Sequence, residues 1–182
     1  MKNYTTDNND NNNVKFEAFV GLDVHKDSIA VAVAYKGDSE PISLGIIPSD
    51  EDSVIKLFKK AKLNSLSTKV AYEAGPTGYS LFRYLNSKNI TTLVVAPSLI
   101  PKAPSDKIKT DKRDATKLAE LLRSNLLTPI YIPNESDEAL LNLTRYRITA
   151  VKDRTRAINR LKLFLLKSNI TIPPEVPHLT RS

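Results

Sequence analysis

Three short apolar runs follow one another near the start of the chain: residues 16–23 (FEAFVGLD), 28–35 (SIAVAVAY) and 41–47 (PISLGII). Only a few polar residues separate them. A parallel neighbour needs a crossover of about a dozen residues or more, so strands this close are antiparallel neighbours joined by tight turns. In the second run Ala alternates with Val and Ile, the period of two that a strand requires. The pattern then changes. Residues 50–63 place Val54, Ile55, Leu57 and Phe58 at helical spacing, with Ser49 or Asp50 in position to cap the N-terminus. Residues 68–73 read as a strand. Residues 77–88 read as a helix carrying Tyr79, Leu81, Phe82, Tyr84 and Leu85, aromatic and apolar positions that belong to a core. Residues 91–96 (TTLVVA) are a further strand, stopped by Pro97.

Three antiparallel strands followed by helix, strand, helix and strand predict an α/β fold. A hairpin meander feeding two crossovers builds a mixed sheet flanked by helices, the layout of an RNase H-like domain. Residues 97–110 (PSLIPKAPSDKIKT) hold three prolines and several lysines and read as a loop, long for a compact domain. Residues 109–124 predict a helix with Ala115, Leu118, Ala119, Leu121 and Leu122 on its apolar face. A Pro-containing linker at 127–134 leads to one long helix of coiled-coil type, 135–170 at its widest. Its stripe of Leu141, Ile148, Val151, Ile158, Leu161 and Leu165 follows 3–4 spacing, with Thr144 and Thr155 in the gaps. The tail at 171–182 has three prolines, and the polar, Asn-rich residues 1–13 predict a disordered leader.

The 182 residues contain no cysteine, which excludes disulfides, Cys–zinc sites and thiol chemistry. Neither a signal peptide nor a run long enough to span a membrane is visible, and a cytoplasmic protein is expected. The net charge of +7 points to partners of opposite sign, of which nucleic acid is the most common.

Four carboxylates stand out. Asp23 ends an apolar strand in GLDVHK. Glu73 ends VAYE immediately before AGPTG, whose glycines and proline force a sharp turn at the carboxyl edge of the sheet. Asp111 and Asp114 lie three apart at a helix start in KTDKRDA, a spacing that puts both on one face. Each has an ordinary explanation: a turn-forming Asp, an exposed strand end, acids stabilised by a helix N-terminus capped by Thr110. Together they read differently. Hard divalent cations take oxygen ligands, and a pair of such ions can activate a nucleophile and stabilise the leaving oxygen of a phosphodiester. An RNase H-like sheet would bring these four together, where they repel one another unless a metal neutralises them. His25 and Lys26 follow Asp23 directly. They read more readily as exposed turn residues than as phosphate contacts.

GLDVHKDSIAVAV, YEAGPTG and KTDKRDATKLAELL, in that order, resemble the N-terminal DEDD domain of insertion-sequence transposases of the IS110 type, relatives of the Piv DNA invertases steered by a bridge RNA. The resemblance runs from about residue 16 to about residue 168. It implies a RuvC-like catalytic domain over 14–126, with Asp23, Glu73, Asp111 and Asp114 as catalytic residues and ligands of Mg²⁺ or Mn²⁺. It also implies DNA as substrate, a guide RNA as partner, and a long helix used in dimerisation and RNA binding. Members of the family continue into a second domain with a catalytic serine. No such domain is read in these 182 residues, and the chain alone is expected to bind nucleic acid without completing recombination. The nucleic-acid contacts expected are Lys102, Lys107, Lys109, Lys112 and Arg113 around the acidic pair. On the long helix they are Arg145, Arg147, Lys152, Arg154, Arg156, Arg160 and Lys162. Two other functions stay open on the sequence: a non-catalytic nucleic-acid-binding and dimerisation module, and an actin-like phosphotransferase. The second is disfavoured because no glycine follows Asp23 to cradle nucleotide phosphates.

Overall fold

A computed structural model describes residues 15–101 and 110–171. The expectations for residues 1–13, for Lys102, Lys107 and Lys109, and for the tail beyond 171 fall outside the described residues. The described chain divides into two compact units, one running to Ile132 and the other starting at Pro133.

The first unit is built on a five-stranded sheet in the order β3-β2-β1-β4-β5. β1 (Ala18–Val24) pairs antiparallel with β2 (Ser28–Tyr35), and β2 pairs antiparallel with β3 (Ile42–Pro48). On its other side β1 pairs in parallel with β4 (Thr68–Glu73), which pairs in parallel with β5 (Thr91–Val95). Helix α1 (Glu51–Lys60) links β3 to β4 and α2 (Ser80–Ser87) links β4 to β5. The strand senses and order are those of the RNase H-like layout. Asp50 caps α1, its side chain accepting from Ser53 N at 2.7 Å. Helix α2 begins three residues later than its pattern suggested. Pro76 and Thr77 lie in the turn after Glu73, and Gly78 takes φ +71, a left-handed conformation that holds the chain out of the helix.

The sheet has two unlike faces, and the alternation in β2 shows why. Ile29, Val31 and Val33 join Val20, Leu22, Val70, Tyr72, Leu81, Phe82 and Leu85 in the main core, on the α1–α2 side. Ala30, Ala32 and Ala34 face the other way and meet Ala115 and Ala119 of α3 (Asp111–Arg123). Small side chains on both surfaces bring α3 close to the sheet. Gly21 of β1 completes the contact: a Cβ there would collide with the Ala115 carbonyl oxygen and come within 2.5 Å of Ala119 N. On the far side of β1, Ala71 and Val95 pack with Leu118, Leu122 and Leu127.

Residues 127–132, in the stretch read as linker, lie along β5. Pro129 bridges Val95, Ile130 N donates to Val94 O at 2.8 Å, and Leu127 and Ile132 are buried. The second unit contains α4 (Glu135–Lys167), 33 residues capped by Asn134, whose side chain accepts from Asp137 N. No residue of α4 is buried. Thr144 and Thr155 donate their hydroxyls to the carbonyls of Leu140 and Val151, so each satisfies its polar group within the helix.

Candidate metal centre

The acidic residues are positioned by strand register and by the close seat of α3. Leu22 and Tyr72 are the last residues paired between β1 and β4. One step further along each strand come Asp23 and Glu73. Register partners in a parallel pair project to the same face, and side chains alternate along a strand. Gly21 and Ala71 contact α3, so Asp23 and Glu73, two residues on, share that face. The first turn of α3, with Thr110 as N-cap, carries Asp111 and Asp114. Gly21 therefore bears on the site as well as on packing. It sets how near the start of α3 lies to the end of β1.

The tightest grouping joins Asp23 and Asp111 through His25. His25 Nε2 lies 3.1 Å from Asp23 Oδ2 and 3.6 Å from Asp111 Oδ1. One ligand atom from each of the three falls within 4.8 Å of the other two. Asp23 is half-buried, with a side chain 15% exposed, whereas His25 and Asp111 are exposed. Burial pushes the Asp23 carboxyl above its ordinary range. His25 opposes this by charge and hydrogen bond, and the carboxylates of Asp114 and Asp111 add to it. Asp114 is thus close enough to act on Asp23, though it stands outside the group with ligand spacing, as does Glu73. Two carboxylate oxygens and an imidazole nitrogen at this spacing suit a divalent cation.

His25 is exposed in the turn, as the sequence predicts, and its ring also lies near Asp23 and Asp111. Its backbone is held at both ends: His25 N donates to Ser28 O at 2.9 Å, and Ser49 Oγ donates to His25 O at 2.8 Å. The turn thus tethers to the end of β3, and the ring comes to lie between β1 and α3. Nothing periodic in the sequence announces a contact between residues 25 and 111. Of the basic residues, Lys112 and Arg113 are exposed in the first turn of α3 beside Asp111. Arg145, Arg147, Lys152, Arg154, Arg156 and Arg160 are exposed on α4 and Lys162 is half-buried, with Arg156 paired to Asp153 at 3.0 Å.

A five-stranded mixed sheet of this order, flanked by helices, defines an RNase H-like domain. The family model described as transposase, of the DEDD IS110 type, matches residues 20–170, and the chain belongs to that family. It is 39% identical over 170 residues to the transposase for insertion sequence element IS1533 of Leptospira borgpetersenii, covering 93% of this chain and 49% of that protein. It is also 39% identical over 158 residues to y4qE of Sinorhizobium fredii, covering 86% of this chain and 40% of that one. The chain spans about half the length, or less, of these curated relatives. Among solved structures, RuvC of Thermus thermophilus shows a distant likeness: TM-score 0.42 and 10% identity, over 62% of this chain and 99% of that one. Among the described residues, no helix is long and apolar enough to cross a membrane.

Proposed function

We propose that this chain is the catalytic domain of an insertion-sequence transposase, a DNA recombinase that cleaves and transfers phosphodiester strands with Mg²⁺ or Mn²⁺ held by Asp23, Glu73, Asp111 and Asp114. The observation that carries this reading is the shared face: Asp23 and Glu73 end adjacent parallel strands on the face that α3 covers, and Asp111 and Asp114 stand in the first turn of α3. A divalent cation bound there supplies the charge that polarises a phosphodiester and offsets the charge developing as it breaks. The chain's own groups do the rest. The half-buried Asp23 gives the site a fixed carboxylate, costly to keep charged until a cation arrives. Asp111 and Asp114, on one face of a helix start, add carboxylates whose spacing is set by helical geometry. Lys112 and Arg113 present positive charge beside them to hold a nucleic-acid backbone, a contact that positions without reading sequence.

The long helix has a separate part in this reading. Its apolar stripe pairs with a second copy, and its basic flanks take the guide RNA that the family resemblance implies. Nicking of supercoiled DNA in low salt tests the catalytic part. Cleavage that needs Mg²⁺ or Mn²⁺ and disappears in both Asp23→Asn and Glu73→Gln is the expected result. Cleavage that persists in chelator, or that survives both substitutions, would remove the acidic residues from the chemistry.

A further inference from the structure

We infer that His25 is a ligand of this centre, making it a mixed imidazole–carboxylate set with Asp23 and Asp111 that favours divalent ions of the first transition row over Mg²⁺. The inference rests on the metal-site reading above and goes further by naming a nitrogen donor and the class of ion it selects.

The geometry supports it in two ways. Donors about 2.1 Å from an octahedral cation lie ~3.0 Å apart when adjacent and ~4.2 Å apart when opposite. His25 Nε2 stands 3.1 Å from Asp23 Oδ2 and 3.6 Å from Asp111 Oδ1, and one ligand atom from each of the three residues falls within 4.8 Å of the other two. The two His25 distances approach those of ligands on adjacent corners of one ion. The backbone of His25 is also fixed, pinned through Ser28 and Ser49, so the ring does not have to be gathered from a disordered loop.

The chemistry then sets the selectivity. A neutral imidazole with its proton on Nδ1 offers the Nε2 lone pair toward the two carboxylates, an arrangement that a cation between them makes favourable. Mg²⁺ is served by carboxylate and water and gains little from nitrogen. Affinity for a nitrogen-containing site climbs from Mn²⁺ toward Co²⁺ and Ni²⁺. His25 has a side chain 53% exposed, so its replacement leaves the core intact.

Electron spin-echo spectroscopy of Mn²⁺ bound to the 182-residue chain tests this without reference to activity. The chain has two histidines, His25 and His178. The expected result is nitrogen coupling from one coordinated imidazole, lost in His25→Ala and kept in His178→Ala. In parallel titrations, Co²⁺ affinity should fall about tenfold or more in His25→Ala, while Mg²⁺ affinity stays within about twofold. Mn²⁺ binding that depends on Asp23 but shows no nitrogen coupling would overturn the inference and leave the carboxylate site standing. An unchanged ratio of Co²⁺ to Mg²⁺ affinity in His25→Ala would overturn it equally. Wild-type chain that binds Mn²⁺ no better than Asp23→Asn would overturn both this inference and the reading beneath it.

Discussion

Asp23 is held at an energetic cost. Its folded pKa lies above the ordinary 3.8, chiefly through burial, so folding disfavours its charged form. The sign follows from proton linkage: between the unfolded and folded values the folded state binds more protons. The penalty is therefore absent below about pH 3.8 and grows to its full size as pH rises through the folded value. Asp23→Asn removes the charge while keeping the shape. In chelator at neutral pH the variant is expected to melt at or above the wild-type temperature, with the gap closing as pH falls toward 4. Adding a divalent ion should reverse the order, because wild type then gains ligand stabilisation, about 2.7 kcal/mol at a hundred times its dissociation constant. Thermal melts with and without Mn²⁺ check this. A variant less stable than wild type in chelator would mean that the Asp23 charge is stabilising, against the burial argument.

At the scale of elements, the seat of α3 on β1 links packing to the site. Gly21→Ala places a methyl group against backbone atoms of Ala115 and Ala119, which cannot give as a side chain end could. Overpacking of this kind costs about 1–3 kcal/mol. The larger effect expected is on Mn²⁺ affinity, since lifting α3 draws Asp111 and Asp114 away from Asp23. Denaturant unfolding and Mn²⁺ titration of the same preparation separate the two effects. Stability lost with metal affinity intact would show that the start of α3 does not move with its middle. In α4, Leu141, Ile148, Val151 and Leu161 are 43–51% exposed, an apolar surface worth roughly 1.5–3 kcal/mol per large side chain once fully covered. Light scattering is expected to find a dimer that Ile148→Asp with Val151→Asp converts to a monomer. A wild-type monomer would remove the second copy from the account.

Much of this scale is legible in the sequence. The three close apolar runs force the antiparallel half of the sheet, and the Ala/Val alternation of β2 already holds the difference between the α3 face and the main core. All four acids are legible as strand ends and a helix start because turns and caps have local signatures. What is not legible depends on distance in space. His25 meets Asp111 across 86 residues, by a turn pinned to Ser49, and no periodicity encodes that. Residues 127–132 look like a tether because prolines mark loops, yet their backbone continues the edge of the sheet through Val94 and Val95.

For the whole molecule, charge is the connecting property. The net charge of +7 is not spread evenly: Lys112 and Arg113 stand beside the acidic centre, and α4 carries many of the other cations. Nucleic-acid binding by this chain is expected to weaken steeply with salt as counterions are released. Arg154→Ala and Arg160→Ala should each reduce the slope of log K against log salt by about 1 if each contacts a phosphate. Filter binding across a salt series measures it, and slopes unchanged in both variants would place the nucleic acid on another surface. A single divalent-metal centre formed by the ends of β1 and β4 and the start of α3 has a more direct test. Anomalous scattering from crystals soaked in Mn²⁺ locates the ion itself. The expected result is a peak within bonding distance of carboxylate oxygens of both Asp23 and Asp111, absent in Asp23→Asn crystals. A peak bound elsewhere, or one at this place that persists in Asp23→Asn, would contradict it.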